Sequence, residues 1–460
     1  MKSHNDLPML VVLYAAAFMS AFNENIVNVA LVDIMAEFSV TSTTAQWLVT
    51  GYMALMAIIV ASCAFLLQRF SARTLFFAAA ACFIIGEALC LFVPDFPLLL
   101  AARLLQAIGT GIFTPLMMNA VLACSPSEKV GTYLAIGSAA ITLGPAFAPV
   151  LSGMMVTLVG WRTIFLLPLI AIIIITVAGI PFVKNFAHTA NVRLDFISLA
   201  LAAIALPAFV FGLSEVSTQP VTGTMAIAVA IILLIVFALR QERIENPLLN
   251  VRPLLHNALF ALAVLLVIIG MMTTFSMSVL LPLYFESVFE YTALAAGLLI
   301  LPAIVINAIT AIFAGRTMDR RGPWPLIPAG FGCIVVGQFA IALLGESQSA
   351  IAVVIASVVV YAGVGLVMSP VQTAGLGILP HREHPDGVSI MNTFIMVAAS
   401  LGPSLFVGIV SKGADSATSN GASFQAAQTA GFSEAVFVAA VIGIIGLAIS
   451  LYFAYKTRKR

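Results

Sequence analysis

The sequence predicts an all-α polytopic membrane protein, and three observations carry this prediction. Only 8% of the 460 residues are charged, compared with about 25% in an ordinary soluble domain. Hydrophobic residues make up 62% of the chain. They form continuous runs of about 20 residues, the length of a membrane-spanning helix, rather than the short alternating segments of a β-barrel. This composition excludes a soluble enzyme, a disordered protein and a secreted disulfide scaffold.

Charged and Gly/Pro/Asn-rich interruptions divide the chain into fourteen predicted spans. In order they are 8–35, 46–68, 74–94, 97–124, 131–158, 163–183, 196–214, 222–239, 258–285, 292–315, 324–344, 350–379, 387–410 and 432–455. With the N-terminus inside, seventeen of the twenty Lys and Arg residues fall on the cytoplasmic side, as the positive-inside rule requires. The exceptions are Arg162, Lys412 and the intramembrane Arg103. This bias predicts a multi-pass protein of the plasma (cytoplasmic/inner) membrane with both termini cytoplasmic.

Two connections between these spans are long. The inner connection 240–257 predicts a short interfacial helix. The outer connection 411–431 is rich in Ser, Ala and Gly, which predicts a flexible loop.

Landmark residues recur at separations of 251 to 258 positions. The pairs are Gln68 and Asp319, Pro115 and Pro370, Gly131 and Gly387, and Pro145 and Pro403. Repeats of this kind build transporter folds from two similar halves, with the ligand site near the midplane between them. We therefore predict a six-helix bundle in 1–184, two additional helices and an inner linker in 185–257, and a second six-helix bundle in 258–460. The additional pair is expected at the periphery of the two bundles.

Seven ordered motifs carry a resemblance to a known family. They are N-I-V-N-V-A-L at 25–31, A-Q-W-L-V-T-G-Y at 45–52, L-A-A-R-L-L-Q-A-I-G-T-G at 100–111, L-G-P-A-F-A-P-V-L-S-G at 143–153, G-W-R at 160–162, N-P-L-L-N-V-R at 246–252 and G-R-T-M-D-R-R-G at 315–322. The set resembles the major facilitator superfamily, in particular its fourteen-helix drug:proton antiporter branch of multidrug efflux type. The resemblance implies alternating access, with the proton as coupling ion and no other cofactor.

The resemblance also implies gating or structural roles for two groups of residues. They are the inner-loop positions Gln68, Arg69, Arg73, Gly315, Asp319, Arg320, Arg321 and Gly322, and the fifth-helix positions Gly144, Pro145, Pro149 and Gly153. Asp319 is expected to bind the N-terminal end of a nearby helix and hold the inner side shut. The arginines either contribute to this gate or serve only as the positive charges that keep the loop on the cytoplasmic side. The family's first-half acid is replaced by Gln68, so the first-half gate is expected to be looser. The fifth-helix motif is either a pivot between the halves or ordinary small-residue packing.

Three charged residues lie more than five residues inside the ends of their spans: Glu24, Glu87 and Arg103. A central charge costs about 2.5–3.5 kcal/mol on insertion scales, so each predicts a polar cavity, a proton relay or a hydrogen-bonded structural site. Glu24 stands beside Asn23, which occupies the family's acidic position, and is expected to carry the proton. Arg103 is expected to serve proton coupling or to act as a structural hydrogen-bond hub. Glu87 is a second proton site or, the interpretation that we favour, reaches the membrane interface.

The substrate cavity is specified less sharply by the sequence. The 32 Phe and 18 Met residues offer adaptable apolar surface. The polar candidates for its wall are Asn23, Asn28, Gln106, Asn119, Asn307, Gln372 and Asn392. Asn28 lies four residues after Glu24 and would share its face of a regular α-helix.

Together these features predict a proton-coupled secondary transporter that exports lipophilic or cationic compounds, and not an enzyme. The alternatives are a lipid or lysolipid translocator of the same fold and, more remotely, a non-transporting membrane sensor or assembly subunit. The predicted partners are a small lipophilic substrate and membrane lipids. A net charge of +1 gives no attraction to nucleic acid, and the five cysteines lack a metal-site spacing. An accessory efflux subunit and the oligomeric state stay open.

Overall fold

The structure of the protein is a computed structural model that describes residues 7–40, 42–45, 47–186, 195–215, 219–244, 247–345 and 349–458. All secondary structure within these ranges is helical. The long helices are α1 (Leu7–Ile26), α2 (Trp47–Arg69), α3 (Ala72–Phe92), α4 (Phe96–Cys124), α5 (Val130–Leu158), α6 (Leu166–Phe182), α7 (Phe196–Glu215), α8 (Pro220–Arg243), α9 (Ala258–Phe289), α10 (Ala293–Arg321), α11 (Leu326–Gly345), α12 (Ala350–Gly377), α13 (His384–Ser419) and α14 (Phe424–Arg458).

Each predicted span overlaps one of these long helices. In the described ranges, twelve helical segments are long and apolar enough to cross a membrane. The other two long helices, α5 and α7, contain shorter apolar stretches at Val130–Pro145 and Phe196–Phe209. The all-α membrane class is confirmed, and the number of fourteen spans stays a prediction.

The two long connections have opposite outcomes. The inner connection contains a short helix, Arg252–His256, as predicted. The outer loop predicted at 411–431 is wrong, because α13 continues to Ser419 and α14 already begins at Phe424. The small residues there serve packing rather than flexibility. A methyl group at Gly431 would overlap the carbonyl group of Val410, so glycine lets α13 and α14 approach closely.

The halves meet mainly where α5 packs on α10 and α2 packs on α13, with smaller contacts of α5 with α12 and of α4 with α13. The additional helix α7 packs on both α2 and α13, and α8 packs on α7. Both additional helices therefore lie outside the two bundles, as predicted, with α7 against the halves and α8 on α7. Ala202, Ala205 and Leu206 of α7 are buried, because they cover the line along which α2 and α13 meet.

The predicted repeat recurs in the packing of the helices. A methyl group at Gly144 of α5 would lie 2.6 Å from the backbone nitrogen of Phe22 in α1. In the second half, a methyl group at Gly402 of α13 would lie 2.9 Å from the carbonyl oxygen of Met272 in α9. Equivalent helices thus meet at equivalent glycines, which supports two similar six-helix bundles.

The fifth-helix motif makes its close contact inside the first half. Gly144 packs on α1, so the predicted pivot between the halves does not form at this residue. Pro145 is half-buried, and the nearest group to a methyl at Gly153 would be Val29, 3.8 Å away. The side chain of Pro149 lies outside the described residues.

Candidate functional site

Asp319 joins the two halves at the end of the bundle that the sequence predicts to be the inner one, where α10 ends and α5 begins. Its Oδ1 accepts a hydrogen bond from the backbone nitrogen of Gly131 at 2.7 Å. Its Oδ2 accepts from the backbone nitrogen of Thr132 at 2.7 Å and from the Thr132 hydroxyl at 2.5 Å. Donors at a helix start have no partner within the helix, and the helix dipole is positive there. The structure therefore has the contact between Asp319 and a helix N-terminus that the sequence predicted.

We call the hydrogen bonds of Asp319 to Gly131 and Thr132 the latch. The backbones of the two halves touch beside it. A methyl group at Gly315 of α10 would lie 2.5 Å from the carbonyl oxygen of Gly131 in α5, so only glycine fits. Ser369 of α12 donates to the same carbonyl at 3.0 Å. Arg320 and Arg321 are exposed. Gly322 ends α10 with a φ of 74°, a conformation that glycine adopts without strain.

The first half has a neutral residue at the position equivalent to Asp319. Gln68 is half-buried and Arg69 is exposed at the end of α2. Arg73 donates to the carbonyl oxygens of Ile180 at 3.0 Å and Val183 at 3.3 Å. It therefore binds the C-terminal end of α6, and the looser first-half gate stays a prediction.

A central cavity lies between the halves. The centre of a water molecule can move through about 80 Å³ of it, which is room for several waters. Its apolar wall includes Met56, Met117, Met118, Met271, Met368 and Met396. No phenylalanine occurs among the described wall residues, so the adaptable lining comes from methionine alone.

Glu24 is the only ionisable residue among the described residues of this wall. The residue is 8% exposed, and its Oε1 has no hydrogen-bond partner in the described part of the chain. A buried carboxyl group without a partner costs free energy. A proton or a cation in the cavity would remove that cost.

Arg103 lies behind Glu24 in a polar cluster on α1, α2 and α4. Its Nη1 donates to Gln106 Oε1 at 2.6 Å and to the side-chain and backbone oxygens of Asn23 at 3.2 and 3.3 Å. Its guanidinium carbon is 4.2 Å from the ring centroid of Tyr52, a cation–π contact. The hub that the sequence offered as one alternative is therefore present. Its Nε and Nη2 atoms have no partner within the described ranges.

Glu87 is fully buried, so its predicted position at the membrane interface is wrong. The adjacent Gly86 packs on Ala102 and Gln106 of α4, which turns this face of α3 toward the protein interior. Both oxygens of Glu87 are without hydrogen-bond partners among the described residues. Glu87 and Glu24 each lie within electrostatic reach of Arg103, so two acids share one base.

Three of the predicted polar wall residues line the central cavity: Asn307, Gln372 and Asn392. Asn307 donates to the carbonyl oxygen of Tyr361 at 3.0 Å. Gln372 accepts from Ser138 of the opposite half at 3.4 Å. Asn392 is anchored on its own helix. These amides are oriented by the protein and present polar edges to the cavity.

Three other predicted wall residues lie behind the wall. Asn23 and Gln106 are completely buried and hold Arg103. Asn119 donates to the carbonyl oxygen of Pro115 at 2.9 Å within α4. Sequence reasoning instead missed the hydroxyl residues of the wall, which are Thr110, Thr114, Ser138 and Thr274. Their sequence signal is weak, because Ser and Thr in membrane helices commonly bond to their own backbone.

Asn28 is exposed and does not contribute to the described cavity wall. The chain leaves the α-helical conformation after Ile26 and forms a 3₁₀ turn over Val27–Ala30. A 3₁₀ helix has three residues per turn, so a residue four positions on no longer shares a face with Glu24. The predicted pairing of Glu24 and Asn28 is therefore wrong.

The sequence of this chain is similar to those of known membrane proteins. Residues 13–403 match the Major Facilitator Superfamily. The chain is 33% identical over 470 residues to the lincomycin resistance protein LmrB of Bacillus subtilis (strain 168), covering 99% of this chain and 97% of that protein. It is 28% identical over 401 residues to a multidrug resistance protein B homolog of Mycobacterium tuberculosis (strain CDC 1551 / Oshkosh), covering 85% and 73%.

A solved structure has the same fold. The proton:xylose symporter XylE bound to 6-bromo-6-deoxy-D-glucose superimposes with a TM-score of 0.66 at 16% identity, covering 99% of this chain and 97% of that one. At this identity the likeness concerns the fold alone.

Proposed function

This chain belongs to the major facilitator superfamily and its multidrug-efflux branch, and we propose that it exports lipophilic cations across the plasma membrane in exchange for protons. The observation that carries this proposal is Glu24 on the wall of the central cavity, whose buried Oε1 has no hydrogen-bond partner in the described part of the chain. Family membership makes the chain a transporter rather than an enzyme. Two of its relatives are named for resistance to lincomycin and to multiple drugs.

The chemistry of the wall favours a cationic cargo. Ionised Glu24 attracts a cation strongly in a cavity with few polar groups, and its protonation removes that attraction. Methionine side chains adapt to apolar groups of different shapes. No Lys or Arg lies among the described wall residues, which argues against the anionic headgroup of a translocated lipid.

Exchange follows from competition for one carboxylate. A cation that enters from the inner side displaces the proton from Glu24, and a proton that arrives from the outer side displaces the cation. Asn23 and Gln106 hold Arg103 in place behind this site. The proton is the only coupling agent that this scheme requires.

The latch at Asp319 must open in each cycle. Asp319 accepts three hydrogen bonds, and a hydrogen bond to a charged group contributes about 1.5–3 kcal/mol. A gradient of one pH unit supplies about 1.4 kcal/mol per proton. The membrane potential adds about 2.3 kcal/mol per 100 mV for each net charge moved, which is zero when one proton exchanges for one monovalent cation. The energy of one proton is therefore comparable to one of these hydrogen bonds rather than to the whole latch.

The first test is proton release in proteoliposomes on addition of tetraphenylphosphonium, with native protein and with Glu24→Gln. We expect cargo-driven proton movement with the native protein and none with Glu24→Gln, because the amide cannot exchange a proton. Glu434→Gln is the matched control, since Glu434 is exposed on α14 away from the cavity. It is expected to behave as the native protein.

Two results would contradict the proposal. Proton movement that survives in Glu24→Gln would assign coupling to another group, with Glu87 the next candidate. A folded native protein that moves no protons with any lipophilic cation would exclude cation antiport.

A further inference from the structure

A second void, the side chamber, lies next to the central cavity between α2 and α13. Ala57 of α2, Leu206 and Phe209 of α7 and Ala399 of α13 form part of its wall. Glu24 and Met396 line both this chamber and the central cavity. The two voids therefore meet at the carboxyl group that the proposed exchange uses.

The side chamber is closed in this conformation. The centre of a water molecule can move through only about 10 Å³ of it, and one water needs about that much. A lipophilic cation cannot pass unless the side chains of the wall move. The chamber is therefore a narrow passage rather than a second binding cavity.

Among the described residues, α7 is the one helix outside the two bundles that lines this chamber. It packs on both α2 and α13, and the ring of Phe211 stacks on that of Trp47 in α2 with centroids 6.4 Å apart. Its opposite face is open, with Ile197 57% and Ile204 56% exposed. One helix thus separates the hydrocarbon of the bilayer from Glu24.

The other junction between the halves is built differently. At the inner ends of α5 and α10 the backbones touch at Gly131 and Gly315, and Asp319 ties them together. The side chamber is instead sealed by side chains, those of Leu206, Phe209 and Met396. Side chains change rotamer far more readily than packed backbones separate.

The position of Pro207 weakens α7 at this seal. It lies inside the helix, between Leu206 and Phe209. Proline removes one backbone hydrogen bond and permits a bend at the preceding turn. Bending α7 here would move the two sealing side chains away from Met396.

We propose that the side chamber is the entrance by which lipophilic cations dissolved in the bilayer reach Glu24, with Leu206 and Phe209 as its gate. This inference rests on the proposed function, since it supplies the route to the same carboxyl group. A cargo that enters here keeps its apolar groups in apolar surroundings throughout. Its charge meets Glu24, the only ionisable residue among the described residues of either wall.

Cysteine labelling tests the entrance without requiring transport. Leu206→Cys is made in a chain whose five native cysteines are replaced by alanine, and it is reacted with bilayer-dissolved pyrene maleimide or with a charged, water-soluble methanethiosulfonate. We expect pyrene maleimide to react faster, and tetraphenylphosphonium to slow that reaction. Adding Glu24→Gln should abolish the protection but not the labelling.

Ile204→Cys is the matched control on the lipid-exposed face of α7. It should react with pyrene maleimide and show no protection by tetraphenylphosphonium. The proposal is overturned if Leu206→Cys reacts at least as fast with the water-soluble reagent, or if the cation protects both positions equally.

Transport gives a second test, with Phe209→Trp and Ile204→Trp compared in proteoliposomes. The larger ring at the gate should lower kcat/KM for tetraphenylphosphonium about tenfold, which corresponds to about 1.4 kcal/mol of barrier. Ile204→Trp should stay within about twofold of the native protein. Equal kcat/KM values for the two variants would show that Phe209 is not part of a gate.

The two proposals fail separately. If the native protein shows cargo-driven proton movement but the two tryptophan variants are alike, the side entrance is wrong and proton-coupled export stands. If labelling and protection occur as expected but no protons move, the entrance stands and proton coupling is wrong.

Discussion

Gly86 and Gly337 occupy the same place in the two halves, and the residues that follow them differ in charge. A methyl at Gly86 of α3 would lie 2.8 Å from the carbonyl oxygen of Ala102 in α4. A methyl at Gly337 of α11 would lie 3.0 Å from that of Ala356 in α12. The next residue is Glu87 in the first half and Gln338 in the second, and both are fully buried.

When the two halves are aligned in this way, Ser357 occupies the position of Arg103. Ser357 bonds to its own helix through the carbonyl oxygen of Val354 at 2.7 Å, whereas Arg103 carries a charge among polar groups from three helices. The second half keeps the same packing without this acid and this base. The charges are therefore not needed to form the bundle, and the desolvation cost of keeping them there is what the proposed role in transport would account for. This contrast supports the proposal that proton chemistry belongs to the first half, whereas the second contributes neutral amides to the cavity wall.

The largest effect is expected for Arg103→Met compared with Ser357→Ala. Removing Arg103 leaves two buried carboxyl groups without their base, which costs up to about 3–5 kcal/mol. Ser357→Ala should change stability by less than about 0.5 kcal/mol. Thermal unfolding in detergent measures the first effect, and proton movement in proteoliposomes should be lost only in Arg103→Met.

A double variant separates stability from coupling. Arg103→Met with Glu87→Gln makes the first half resemble the second, so stability should recover in part while proton movement stays absent. If Arg103→Met has the unfolding temperature of the native protein, the charges of the first half do not affect its stability, and this explanation of the contrast between the halves is wrong.

Hydropathy and the repeat were sufficient to predict the fold class and the position of almost every long helix. The roles of Glu24 and Asp319 could each be predicted from the single residue. An acid in the middle of a membrane helix or in an inner-loop motif has few roles other than proton binding or binding to a helix N-terminus. Glu87 could not be placed, since its direction depends on the packing at Gly86. The burial of α7 was missed because its composition resembles that of α8, and only the line between α2 and α13 distinguishes them.

A smaller effect is expected at the latch, where Asp319 in the second half corresponds to Gln68 in the first. Asp319→Asn removes charged hydrogen bonds of about 1.5–3 kcal/mol and should favour opening of the inner end. A cysteine in place of Ser138 in the cavity, in the chain without native cysteines, should then react about tenfold faster with an impermeant thiol reagent added from the inner side.

Gln68→Ala is the matched change in the first half. It should leave the labelling rate within about twofold, since a neutral amide makes no charged latch. An equal increase in both variants would mean that the two inner gates are alike after all.

The smallest effect is expected for an ion pair that lies outside both bundles, at the inner end of the additional helices. Arg240 donates to Asp195 at 2.9 and 3.0 Å and holds the pKa of that carboxyl at about 2, below its ordinary value of 3.8. Since the folded-state pKa is the lower one, this stabilisation is complete above pH 4 and is lost as the pH falls toward 2. Solvent-exposed pairs contribute little, so the unfolding temperature of native protein should fall only slightly more than that of Asp195→Asn between pH 5 and pH 2. A loss as large as that of Arg103→Met at neutral pH would show that charge matters equally inside and outside the first half, and the contrast between the halves would lose its meaning.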